Sequence, residues 1–163
     1  MLINCRITGD IFRRFAYYDA FIRKKAMRNI GIFVLISAAF SAVSFAGGGA
    51  ALGCVFTALA VLLPCVYLFV FASSVKKQQK KLNTASAEPA YTAELFDKER
   101  GARITSRSDE CLSIGWNDVT LAHRAGNCVY LYISSGKAFL LPCEDSAELW
   151  NFLCGVLPEH ILR

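Results

Sequence analysis

The sequence predicts a membrane α-helical hairpin followed by a small α+β domain, in which an antiparallel sheet is closed by a C-terminal helix. Three observations carry this expectation. Residues 29–75 contain no Asp, Glu, Lys, Arg or His. Basic residues crowd both ends of that run. Beyond it, short stretches alternate apolar and polar residues, and near the C-terminus the period lengthens to that of a helix.

The uncharged run sets the anchor. At 163 residues the chain has room for one domain plus an anchor, and 55% hydrophobic residues is high for a soluble protein of this size. As one helix, residues 29–75 would extend roughly 70 Å against a hydrocarbon core of about 30 Å, so one span cannot use them up. Two can. The first covers residues 29–46 and the second residues 51–74, and both are rich in Ile, Leu, Val and Phe. Between them, residues 47–50 include Gly47, Gly48 and Gly49, which break helix continuity. The rival reading takes Ser44-Phe45-Ala46 as a small-x-small cleavage site. It would need a long leading segment carrying Asp10 and Asp19, which argues against it.

A turn this short makes the spans antiparallel and puts both basic flanks on one side. Those flanks are Arg23, Lys24, Lys25 and Arg28 before the run, and Lys76, Lys77, Lys80 and Lys81 after it. The positive-inside rule makes that side the cytoplasm, with both termini facing in. Within the hairpin, Ser37/Ser41, Ala38/Ala42 and Gly49/Gly53 repeat at the spacing that lets helix backbones approach closely. Self-packing of the hairpin is the preferred use of these faces, and a homo-oligomer built through them is the alternative. Pro64 is tolerated in a membrane helix. No Asp, Glu, Lys, Arg or His lies within either span to serve ion or proton transport.

Residues 1–28 read as an amphipathic cytoplasmic or interfacial helix. Asp10 is the expected N-cap, Ile11, Phe15, Tyr18 and Ile22 follow helical spacing, and Arg13 and Arg14 reach toward lipid headgroups. It is expected to anchor the first span or pack on the soluble module rather than to sense anionic lipid. Residues 76–89 form the basic flank and a polar linker, with the linker beginning near Asn83.

The domain follows at residues 90–163. YTAEL and ARITS, either side of Gly101, predict a strand hairpin. CLSIGW places Leu112, Ile114 and Trp116 on one face, and DVTLAH continues with Val119 and Leu121. After a turn at Gly126, CVYLYI is apolar on both faces, as in a central strand. KAFLL completes the series at Pro142. Asp145 with Glu148 then resembles a capping box, and Leu149, Trp150, Leu153 and Val156 form a helical stripe.

These motifs resemble the YcxB-like family across most of the chain. The likeness includes FRRFAYY before the first span and is strongest from Ile114 to Trp150, through IGWNDV, VYLYI and AFLLP. It implies a bacterial membrane hairpin bearing a small domain related to pleckstrin-homology folds, without an established activity. The matching positions are Trp116, Asp118, Tyr130, Tyr132 and Pro142. The pattern departs at Leu141-Pro142-Cys143-Glu144, where relatives often carry a basic residue after the proline. That departure argues against an anionic ligand at this edge.

Composition narrows the function classes. Residues 82–163 hold seven basic and eleven acidic residues, so the +5 net charge sits beside the spans. An acidic module argues against nucleic acid and favours a protein partner over direct lipid reading. His123, expected on the face of Val119 and Leu121, reads as a core or rim histidine, and His160 as solvated. Ser135-Gly136-Lys137 lacks the full phosphate-loop pattern and reads as a turn. Glu144 and Asp145 read as helix-terminus charges. The seven cysteines show no CxxC spacing and fit a reducing compartment.

The chain is accordingly expected to bear no catalytic residue, metal or cofactor, and to be a non-enzymatic interaction module in the bacterial cell membrane. Its expected partners are the lipid bilayer and a protein. The alternatives are a small enzyme or thiol sensor using Cys111, Cys128 or Cys143, and a reader of anionic headgroups.

Overall fold

A computed structural model describes residues 1–84, 89–98, 100–106, 110–143 and 146–163. They form two compact units. Residues 1–11 and 82–163 make a sheet unit, and residues 12–81 make a helical unit.

Among the described residues, the sheet unit contains seven antiparallel strands in two sheets. The first sheet has the order β1 (Leu2–Cys5), β2 (Tyr91–Leu95), β3 (Ala102–Ser106) and β4 (Cys111–Ile114). The second has β5 (Val119–Ala125), β6 (Cys128–Ile133) and β7 (Ala138–Pro142). The expected hairpin forms as β2 and β3, with Ala93 facing Ile104. CVYLYI is central, and all six of its residues are buried. A helix, α4 (Ser146–Val156), follows the last strand. Its Leu149 and Leu153 are fully buried in one hydrophobic cluster with residues of both sheets, while Trp150 and Val156 pack at its margin. The expected cap at Asp145, like Glu144, lies outside the described residues.

Several features depart from the sequence reading. The first is β1, which precedes the helical unit in the chain yet pairs with β2, placing Ile3 opposite Ala93 and Cys5 opposite Tyr91. The second is a register shift between Val119 and Leu121 in β5. A bulge of this kind advances the pleat by one residue, so the buried residues are Val119 and Ala122 while Leu121 and His123 are half-buried. His123 therefore does not continue the face of Val119. The third concerns Leu112 and Trp116. Leu112 remains 41% exposed on edge strand β4, and Trp116 lies in a 3₁₀ turn (Trp116–Asp118) rather than in a strand. The fourth is the helix cap described below.

Two sheet edges are closed from within the unit. The C-terminal residues run along β5, where the Arg163 N–H donates to Ala122 O and the Arg124 N–H donates to Arg163 O. On β7, the Tyr91 hydroxyl donates to Leu140 O at 2.6 Å and accepts from Leu140 N–H at 2.7 Å. One side chain thus satisfies both outward backbone groups of a β7 residue and stitches the two sheets together. Tyr91→Phe keeps the ring, with its edge-on contact to Phe139, but strands those groups. The expected cost is about 1–3 kcal/mol, read as a lower midpoint in denaturant unfolding with an unchanged slope.

The helical unit is built on two long helices, α2 (Ala26–Ala46) and α3 (Ala50–Thr84). Both are long and apolar enough to cross a membrane. Large apolar side chains point outward, with Leu35 71% and Phe69 73% exposed, which is not how a soluble core helix is arranged. A glycine turn joins the helices, and Gly48 takes φ +77°, a left-handed conformation. The small residues are used inside this pair. Ser37 and Ser41 are buried, and Ser41 Oγ lies 3.0 Å from Gly53 O and 2.8 Å from Thr57 Oγ1. A Cβ on Gly53 would fall 2.7 Å from the Phe45 ring. Beyond the expected span, α3 runs on through all four flanking lysines to Thr84. Asn83 is therefore helical, and residues 85–88 of the expected linker lie outside the described residues.

The segment before α2 is not one regular helix. The first helix, α1 (Gly9–Tyr17), is capped by Thr8, whose hydroxyl accepts from Ile11 N–H, so Asp10 sits in the first turn rather than at the cap. Tyr18–Arg23 then widens into a π-helix. The extra residue per turn shifts the 3.6-residue stripe. As a result Ile22 is 65% exposed, while Tyr17 and Phe21 pack edge-on against Phe71 of α3. Lys25 ends the segment in a left-handed conformation at φ 52°. Asp19 pairs with Arg23 and Lys24.

Candidate functional site

The residues singled out from the sequence do not converge on one place. Tyr130 and Tyr132 are buried on β6, and Pro142 ends β7 opposite Cys128. Asp118 is exposed, and its backbone accepts from Ser134 N–H and donates to Gly115 O. These four are strand or turn positions of the sheet unit. Trp116 differs in that it floors a cleft.

That cleft is built from three chain segments that are distant in sequence. The β2–β3 turn is closed by Phe96 N–H donating to Gly101 O. Gly101 takes φ +74° because its Cα abuts the Ile114 carbonyl, where a Cβ would sit 2.1 Å from the oxygen. This approach brings the turn against the 3₁₀ segment, and the Trp116 indole N–H donates to Asp97 O at 3.2 Å. From the other side Phe152 of α4 meets the indole edge-on.

The resulting cavity is about 310 Å³. Trp116, Val119, Val156 and Ile161 form its apolar floor, and Lys98, Asn117 and His160 stand at its exposed rim. Trp116 was legible as an apolar position. Lys98, and His160 as a rim group, were not, because nothing local links them to it. A second, apolar groove of about 430 Å³ runs between α2 and α3 beside Pro64 and Tyr67.

The titratable groups separate into inert and accessible sets. Burial pushes the Cys5 and Cys128 thiols up to about 12, each far from the thiolate needed for reactivity. Cys111 and Cys154 are exposed, and Cys143 is half-buried. His123, its ring 5.9 Å from that of Tyr130, is held below its ordinary value by burial, partly offset by a hydrogen bond to the Arg163 backbone. Among the described residues no group of three or more His, Cys, Asp or Glu is arranged to hold a metal ion.

Alkylation of the purified, folded protein at neutral pH should therefore modify Cys111 and Cys154 while sparing Cys5 and Cys128 until denaturant is added. Rapid native modification of Cys128, read by mass spectrometry, would contradict its burial.

No family model, curated protein or solved structure matches this chain.

Proposed function

We propose that the chain is a membrane-anchored, non-enzymatic interaction module at the inner face of a bacterial cell membrane. In this reading α2 and α3 span the bilayer as a hairpin, and the sheet unit is a pleckstrin-homology-like domain that docks a protein partner. One observation carries the topology. Strands β1 and β2 are hydrogen-bonded neighbours, although α2 and α3 lie between them in the chain. A chain that leaves a domain and re-enters it crosses a bilayer an even number of times, so both ends of the hairpin share one side. The lysines at the end of α3 and the cations ahead of α2 make that side cytoplasmic.

The domain assignment is supported by its order: four antiparallel strands, then three, then a helix whose leucines enter the shared core. It agrees with the resemblance to the YcxB-like family. A protein partner is favoured over headgroups because the acidic residues of 82–163 outnumber the basic ones.

The test is photo-crosslinking in cells from probes at Leu112 and Gly155, two exposed positions of the sheet unit. A discrete protein adduct from either is expected, and adducts to lipid alone would overturn the reading. In the same cells an impermeant maleimide should label Cys111 and Cys154 in inverted vesicles but not from outside. Labelling from outside would reverse the topology.

A further inference from the structure

We infer that the cleft over Trp116 is a binding site for a small amphiphilic monoanion, a single aromatic or branched aliphatic group carrying one carboxylate. This goes beyond the docking role and does not depend on it. The floor supplies the apolar half of the recognition. Trp116, Val119 and Ile161 are 7%, 5% and 9% exposed, so they are fixed in the core and present only their upper surfaces. The indole is held twice, by its bond to Asp97 O and by Phe152. A floor pinned in this way needs no ordering when a ligand arrives, which preserves affinity. The volume, about 310 Å³, is at the small end of ligand sites and suits one ring or one branched side chain.

The rim supplies the charge. Lys98 brings an ammonium, Asn117 an amide and His160 an imidazole, and among the described residues lining the cleft none is a carboxylate. An indole face alone would invite a cation, but the ammonium beside it opposes one and pairs with an anion instead.

The test uses the full chain in detergent with Trp150→Phe, which leaves Trp116 as its one tryptophan. The probes are 3-phenylpropanoate and its uncharged amide, titrated against Trp116 fluorescence. Saturable binding of the acid is expected, about tenfold tighter than the amide, with that tenfold advantage lost in Lys98→Gln. Lys98 is exposed, so the variant folds, and an unchanged near-ultraviolet spectrum checks this. Equal binding of acid and amide, an advantage that survives Lys98→Gln, or no saturable change up to about 10 mM acid would each overturn the assignment.

Discussion

Gly101→Ala is expected to abolish stable folding of the sheet unit. The new Cβ would lie 2.1 Å from the Ile114 carbonyl oxygen, 3.0 Å from its carbon and 3.1 Å from Gly115 Cα, all of them backbone atoms that cannot swing aside. The left-handed backbone at φ +74° adds its own penalty for a residue with a side chain. Together these should cost more than about 3 kcal/mol, a large part of the stability of a small domain.

Gly126→Ala separates the two contributions. Gly126 takes φ +62° with nothing within 4 Å of its Cβ position, so it should lose only about 1–2 kcal/mol. Near-ultraviolet circular dichroism during denaturant unfolding measures both. Gly101→Ala matching Gly126→Ala would mean that the β2–β3 turn does not press on β4. The cleft should follow the same ranking, because that turn positions the Asp97 carbonyl against the Trp116 indole and Lys98 at the rim.

What could be read in the sequence was whatever local pattern determines. The hairpin was legible because charge is excluded from every residue between 29 and 75. The central strand was legible because CVYLYI is apolar at both parities, and Leu149 with Leu153 because a four-residue spacing has one geometric meaning on a helix. The failures share a cause as well. Alternation keeps its phase only until a bulge, so the face containing Leu121 and His123 was inverted after Val119. Helical spacing keeps its phase only until the turn widens, so Ile22 left the stripe at the π-helix. Strand β1 was out of reach for a different reason. LINC is four residues long, and its pairing partner is remote; Met1 and Leu95 are separated by 94 positions. The cleft is the same case, since each of its segments has an ordinary local explanation and only the tertiary contact brings Lys98, Trp116 and His160 together.

That remote strand yields the second large effect. Residues 83–163 alone, which contain all the other described strands, should not fold cooperatively. Removing β1 takes Ile3 and Cys5, 5% and 0% exposed, out of the core and strips β2 of the whole ladder on one edge. The loss of two buried side chains costs several kcal/mol before any backbone bond is counted. Restoring β1 without the helical unit should rescue the fold. The chain's exit and return points nearly touch, with Gly9 N–H donating to Asn83 Oδ1 at 3.0 Å, so residues 1–8 joined to 83–163 by a short glycine–serine linker can rebuild the pairing. The joined chain should melt in a single cooperative transition, and the fragment without β1 should show none. If residues 83–163 melt identically with and without β1, the strand is dispensable. The even number of crossings proposed above then loses its structural support, and the proposed sidedness rests on the flanking lysines and arginines alone.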